Sequence, residues 1–253
     1  METQRATANP TARIVLTGAS QGIGKAILLE LARGRHFVVG LSRTKPEEMN
    51  DPACSMDHLA WRPLDLSNPD EVERCVASFA EIDVRALILC AVDYGSSGRH
   101  PAATTSAEEW RKVITTNCLG QGILASQLLP KLIAHSPGII INLSSNVALL
   151  PGPGRVAYAA SKAGLHATLR TVAEEHSHEC LHVYQLVPTF QLVTNGIRGR
   201  RPAGYDFSSY GDPALMAQIV SQIISPAGKP LSPGTYLVHR DGTMAEYPEA
   251  TYL

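Results

Sequence analysis

The chain has 253 residues, 44% of them hydrophobic and 18% charged, with a formal net charge of −1. That balance suits a soluble globular chain with one large core, and it gives no electrostatic reason to expect nucleic acid or an anionic membrane as partner. No apolar run approaches the roughly 18 residues of a membrane span, METQRATANPTAR lacks the apolar centre of a signal peptide, and Cys54, Cys75, Cys90, Cys118 and Cys180 are scattered without a CxxC pair, so a reducing, cytoplasmic location is expected.

Short β-branched runs alternate with longer helical patterns. Expected strands are RIVLT (13–17), HFVVGLS (36–42), HLAWRPL (58–64), RALILC (85–90), GIIINLS (138–144), LHVYQLV (181–187) and GTYLVHR (234–240). Between them the spacing predicts helices over 22–34, 68–81, 106–135, 155–179 and 212–225. Several strands are almost wholly apolar, as central strands of a parallel sheet covered on both faces must be. Unbroken alternation means crossover units, hence a doubly wound α/β fold with a seven-stranded parallel sheet and helices on both faces. One domain over 1–253 is expected, with 1–12 flexible. The stretch from Pro188 to Pro213 has no clear period and carries Arg198, Arg200 and Arg201. Residues 189–212 are read as a substrate loop, although a solvated basic loop would look the same.

The first strand runs into TGASQGIGKAI (17–27), where Gly18, Gly22 and Gly24 fall at a sharp strand-to-helix turn. Missing side chains let the backbone approach a pyrophosphate, whose charge suits the free N–H groups of a helix start. Opening the first crossover unit, this is a dinucleotide-binding turn, with Ser20, Gln21 and Ile23 among its contacts.

The GxxxGxG spacing behind Thr17 resembles the short-chain dehydrogenase/reductase family, and the likeness recurs in order down the chain. Asp65-Leu66 ends the third strand, Asn117 falls in TTNCLG, and Ser145 in INLSS stands thirteen residues before Tyr158. AYAASK supplies Tyr158 and Lys162, and LVP ends the sixth strand at Pro188. The resemblance implies a Rossmann fold in which Asp65 and Leu66 hold the adenine ring, and Cys90, Ala91, Pro188 and Thr189 lie against the cofactor. It implies a homodimer or homotetramer built partly from the helices at 106–135 and 155–179. Relatives that use NAD close the second strand with an acid; here that position holds Ser42, followed by Arg43. A carboxylate would repel a 2′-phosphate and a guanidinium can grip it, so NADP(H) is expected. A solvated Arg43 is the plainer alternative.

Tyr158 and Lys162 are four apart and share a helix face. A free tyrosine has a pKa near 10, and an ammonium one turn away, with the positive charge of an oxidised nicotinamide, favours the phenolate. The resemblance implies that Tyr158 gives a proton to a carbonyl oxygen as hydride arrives from NADPH. It likewise implies that Ser145 polarises that oxygen, Lys162 lowers the Tyr158 pKa and holds the nicotinamide ribose, and Asn117 anchors a relay water.

Departures mark an outlying branch. LCAV (89–92) stands where the family has NNAG, Pro188-Thr189 replaces Pro-Gly, Thr194 comes one residue late, and DGT (241–243) replaces DGG. His176, His178 and His182 cluster near a helix end, but an i, i+2 pair diverges too far for a metal. Cys90 reads as a small apolar residue rather than a nucleophile. The leading function is an NADPH-dependent carbonyl reductase acting on a small or medium ketone, loosely like the sepiapterin and benzil reductases. A catalytically quiet NADP sensor or scaffold is the second reading. Sugar-nucleotide epimerases and dehydratases, with TGxxGxxG turns, rank third. Arg198, Arg200 and Arg201 could meet an acidic substrate or a carrier-protein phosphopantetheine, surface solvation being the default.

Overall fold

The computed structural model describes residues 13–50, 58–96, 99–176, 178–227 and 230–248. The expected flexible segment 1–12 and Cys54 lie outside the described residues.

Seven strands run parallel: β1 (Arg13–Thr17), β2 (Val38–Ser42), β3 (Leu59–Pro63), β4 (Val84–Leu89), β5 (Gly138–Leu143), β6 (Leu181–Pro188) and β7 (Gly234–Val238). The sheet has an eighth strand, β8 (Met244–Glu246), antiparallel to β7, and this corrects the seven-stranded expectation. Its three residues are too few to show a period. The DGT segment makes the intervening turn: Gly242 takes φ +87°, and Asp241 Oδ1 accepts from Thr243 N at 3.0 Å. The strand order is β3-β2-β1-β4-β5-β6-β7-β8. It reverses between β1 and β4, which opens a crevice at their carboxyl ends.

The helices are α1 (Gly22–Arg33), α2 (Pro69–Ala77), α3 (Ala107–Ile114), α4 (Gly120–His135), α5 (Val156–Glu174), α6 (Asn195–Arg198) and α7 (Pro213–Ile224). Pleating sorts strand residues between the two faces. Ile14 and Leu16 of β1 pack with Ile27 of α1 and Val220 of α7, while Val15 between them packs with Leu124 of α4 and Leu165 of α5. Side-chain caps fix several starts: Asn68 accepts from Glu71 N, Ser106 from Glu109 N, and Asp212 from Ala214 N. Pro69 and Pro213 follow two of these caps, where a missing N–H costs nothing.

Two expectations change. The helix expected over 106–135 is interrupted by a π-helical turn at Thr115–Leu119, a deformation that often marks functional sites. The 189–212 segment is built rather than loose: α6 lies within it, and Leu192 bridges Gly211.

Helix α4 approaches the segment after β3 closely because Gly120 has no side chain; a Cβ there would lie 2.2 Å from the Leu66 carbonyl oxygen. Gly120→Ala should therefore lower unfolding free energy by about 2 kcal/mol, within the range for overpacking. Urea denaturation measures this, and a loss below about 0.5 kcal/mol would contradict such close packing.

Candidate active site

Two adjoining cavities open at the carboxyl ends of the strands. One, of about 520 Å³, follows the glycine turn and the ends of β2, β3 and β4. The other, of about 490 Å³, lies over the ends of β5 and β6 beneath the 189–212 segment. Gly18 and Gly22 take φ +72° and +59°, values that favour glycine. A Cβ on Gly18 would sit 2.7 Å from Ala91 Cα, and one on Gly24 would sit 2.1 Å from the Gly18 carbonyl oxygen. The turn can thus press against both β4 and α1 only because these side chains are missing. Gln21 caps α1 without a side-chain hydrogen bond and no acid occupies the first turn, which leaves the leading N–H groups for an anion. This cradle, continuous with a long cavity, fits a dinucleotide.

The LCAV segment is held by partners from elsewhere in the chain. Thr17 Oγ1 accepts from Cys90 N at 2.9 Å and Ala91 N at 3.1 Å, and donates to Gln121 Oε1 at 3.2 Å. Gln121 Nε2 in turn donates to the Ala91 carbonyl at 3.2 Å. Both side chains are fully buried. The amides lost from NNAG are replaced by a hydroxyl at the end of β1 and an amide on α4. One residue further on, Asn117 in the π-helical turn clamps Asp93, accepting from its N–H and donating to its carbonyl, both at 2.7 Å. Its second amide hydrogen goes to Ser161 Oγ at 3.0 Å, which donates to the Tyr158 carbonyl at 2.8 Å. Asn117 is thus a buried clamp joining the loop after β4 to α5.

Tyr158 faces the second cavity, its ring against Tyr94 at 5.3 Å between centroids. Burial pushes its phenol above the ordinary tyrosine value, and Tyr94 adds to this. A hydrogen bond with the Ser145 side chain and the charges of Arg155 and Arg200 pull the other way without prevailing. Lys162 is not among these influences. Its Nζ turns beneath the site to the Leu143 carbonyl at 2.9 Å, and burial brings its pKa down to about 8. In the cofactor-free protein the cations acting on that phenol are arginines, and desolvation outweighs them. Cys90 beside Lys162 is pushed up to about 12 by burial, so its thiol stays protonated.

Gly18, Ser20, Gln21, Gly22, Ile23 and Gly24 line the first cavity, as do Ser42, Arg43, Asp65, Leu66, Cys90 and Ala91. Ser145, Tyr158 and Pro188 line the second. Lys162 and Asn117 lie buried behind them. Thr189 does not join either group: its hydroxyl donates to the Val238 carbonyl at 3.1 Å, which turns its side chain toward β7. The neighbour of the glycine turn is Thr194, whose Cγ2 lies 3.2 Å from where a Gly22 Cβ would be, so the late threonine still reaches the site. Ser42 spends its hydroxyl on the Thr44 carbonyl while accepting from Trp61 Nε1. His176 turns back to the Val172 carbonyl, and His182 packs edge-on against Tyr184. Sequence reasoning missed Gln121, Tyr94, Ser161 and Arg155. Only Arg155 carried a readable signal, standing three residues before Tyr158 at helical spacing.

A family profile described as short chain dehydrogenase matches residues 12–201. The chain belongs to the short-chain dehydrogenase family. Among curated relatives, nodulation protein G of Rhizobium sp. (strain N33) is 31% identical over 179 residues, 70% of this chain and 72% of that protein. The 3-oxoacyl-[acyl-carrier-protein] reductase FabG of Staphylococcus epidermidis (strain ATCC 35984 / DSM 28319 / BCRC 17069 / CCUG 31568 / BM 3577 / RP62A) is 26% identical over 245 residues, 91% of this chain and 97% of that one. A solved serine dehydrogenase complexed with NADP+ superposes with a TM-score of 0.75 at 22% identity, covering 95% of this chain and 99% of its own. A 4-hydroxyisoleucine dehydrogenase complexed with NADH gives 0.73 at 21%, covering 90% and 97%. The short-chain dehydrogenase fold binds a nicotinamide cofactor, and the cradle above has the shape for one.

The buried ammonium of Lys162 has a stability consequence. Its folded pKa, about 8, lies below the ordinary 10.5, so burial costs stability while both states hold the proton. From about pH 8 upward the folded state sheds its proton first, and the cost falls. Cofactor-free protein should gain stability relative to Lys162→Met between pH 8 and 10, as read by urea denaturation at both ends. Parallel profiles would contradict the burial of this charge.

Proposed function

We propose that this protein is an NADPH-dependent oxidoreductase that reduces a ketone to an alcohol, with Tyr158 as proton donor. The observation that carries the reading is Tyr158, buried beside Ser145 on the lining of the second cavity and packed on Tyr94, which lines both cavities. In the bound state the dihydronicotinamide supplies hydride to the carbonyl carbon. Ser145 Oγ donates a hydrogen bond to the carbonyl oxygen and holds it near Tyr158. As that oxygen gains charge, Tyr158 passes its proton to it. An alkoxide is a far stronger base than a phenolate, since even water has a pKa near 15.7, so a phenol raised by burial can still give up its proton. The reducing direction follows from the usual role of NADPH as a hydride donor.

Lys162 would hold the nicotinamide ribose from below, and the glycine turn the pyrophosphate. Arg43 beside Ser42, with no acid ending β2, supports NADP(H) over NAD(H). The similarity to a 3-oxoacyl-[acyl-carrier-protein] reductase supports a carbonyl substrate. The second reading, a quiet sensor, has no use for Ser145 poised against a buried Tyr158. A single domain with 189–212 as substrate loop, self-association through α4 and α5, and a cytoplasmic location extend the proposal; among the described residues no helix is long and apolar enough to cross a membrane.

Tyr158→Phe should lower turnover about 10³-fold, within the range for a lost general acid, while NADPH binding followed by nucleotide fluorescence stays close to wild type. Retained turnover would remove the proton-donor role. Steady-state kinetics should give NADPH the lower KM, and Arg43→Ala should erase most of the difference from NADH, as expected when one charge-assisted phosphate contact is lost. A lower KM for NADH in the wild type would reverse the cofactor assignment.

A further inference from the structure

Four guanidinium groups gather from separate parts of the chain, three around the second cavity and Arg200 on the lining of the first. Arg155 stands at the start of α5, Arg99 comes from the segment before α3, and Arg200 and Arg201 follow α6. Arg99, Arg155 and Arg201 line the cavity itself, and no acidic residue does among the described residues. Gly154, at φ +90°, leaves room for Arg99 beside Arg155: a Cβ there would lie 2.6 Å from Arg99 Cβ.

Solvated surface cations need neither burial nor each other's company; Arg155, Arg200 and Arg201 are half-buried, Arg99 is exposed, and Arg155 feels the charge of the other three. Arg155 Nε and Arg200 Nη1 are buried without a hydrogen-bond partner. Burial first, then the charges of Arg200, Arg99 and Arg201, hold the Arg155 guanidinium below its ordinary pKa. Among the described residues the ion pairs are Lys25–Glu48, Arg33–Glu30, Lys112–Asp93 and His135–Asp83, and none reaches these four. A buried donor on an unanswered cation is costly, and a chain of net charge −1 has no general surplus to explain the cluster. Two of the four are also held in place: Arg200 lies 4.8 Å over the Tyr94 ring, and Arg201 donates to Tyr210 Oη at 3.0 Å. A guanidinium fixed in orientation suits bidentate recognition of a carboxylate or phosphate.

We infer that this cavity selects a carbonyl substrate bearing an anionic group, a carboxylate or a phosphate monoester, with Arg155 as the residue that grips it. The inference rests on the oxidoreductase reading above and names its substrate class. Arg155 precedes Tyr158 by three residues and both line the second cavity, so the anion and the carbonyl are reached from one helix start. Phe190, Leu192 and Ile197 give the remainder of the substrate an apolar wall.

Matched pairs test it: acetoacetate against methyl acetoacetate, 2-oxobutyrate against its methyl ester, and dihydroxyacetone phosphate against dihydroxyacetone, each with NADPH and with NADH. The anionic member should have the higher kcat/KM by about tenfold or more, as when a charged partner is left unpaired by the neutral analogue. The carboxylate and phosphate pairs tell which anion is preferred. Arg155→Gln should remove most of that preference, chiefly through KM, and Arg155→Lys should restore part of it. Equal turnover of neutral and anionic members, or a preference that Arg155→Gln leaves intact, overturns the inference while the reductase reading stands. Calorimetric titration of malonate and of inorganic phosphate into NADP+-saturated protein isolates the opposite case. Binding that Arg155→Gln abolishes, with no carbonyl reduced, upholds the anion site and removes the reductase reading. Absence of both binding and anionic turnover overturns the inference.

Discussion

Taking a phenol out of water raises the cost of its anion, and the site is arranged around that cost. Tyr158 sits against Tyr94, with Ser145 and Arg155 at its exposed side. Desolvation outweighs the neighbouring positive charge, so the hydroxyl keeps its proton until a stronger base appears beside it. Hydride addition to a carbonyl creates such a base. On the proposed reading, the same burial that makes Tyr158 a poor base at rest keeps in place the proton it gives to the carbonyl oxygen.

Holding the phenol there needs rigid supports, and these are buried polar bonds rather than apolar packing alone. Asn117 joins the loop after β4 to Ser161, one turn below Tyr158, and Thr17 and Gln121 fix the end of β4 beneath. Each member satisfies another, so the network avoids the penalty of unpaired polar groups in a low-dielectric interior. The π-helical turn at Thr115–Leu119 belongs to this arrangement: it carries Asn117, whose two amide hydrogens are both committed. The arginines are different. Arg155 Nε and Arg200 Nη1 have no hydrogen-bond partner, and Arg155 faces the second cavity, where a ligand would complete it.

What was legible in the sequence was what local pattern encodes. Alternating apolar strands and helical runs identified seven of the eight strands, and the glycine turn and the Tyr158–Lys162 pair were readable because turn geometry and helix periodicity act over a few residues. β8 was not, being three residues held by pairing with β7. The Thr17–Gln121 bond spans 104 positions and leaves no periodic trace. Thr194 looked out of place by one residue because the path from Pro188, with Thr189 tied back to β7, absorbs the offset only in three dimensions. The surroundings of Tyr158 were illegible for a related reason. Helical spacing puts Lys162 on the right face, but it cannot reveal that Leu143 takes the ammonium or how deeply the phenol is buried.

The central claim concerns the charge on one oxygen, and it can be read directly. Cofactor-free protein labelled with 13Cζ-tyrosine, with the Tyr158 signal assigned by difference against Tyr158→Phe, should be titrated by NMR. The Tyr158 resonance should remain that of a neutral phenol through about pH 11, past the midpoint near pH 10 of an ordinary tyrosine. A midpoint near pH 7 would show a phenolate poised at rest, and the account of Tyr158 as a donor kept protonated by burial would be wrong.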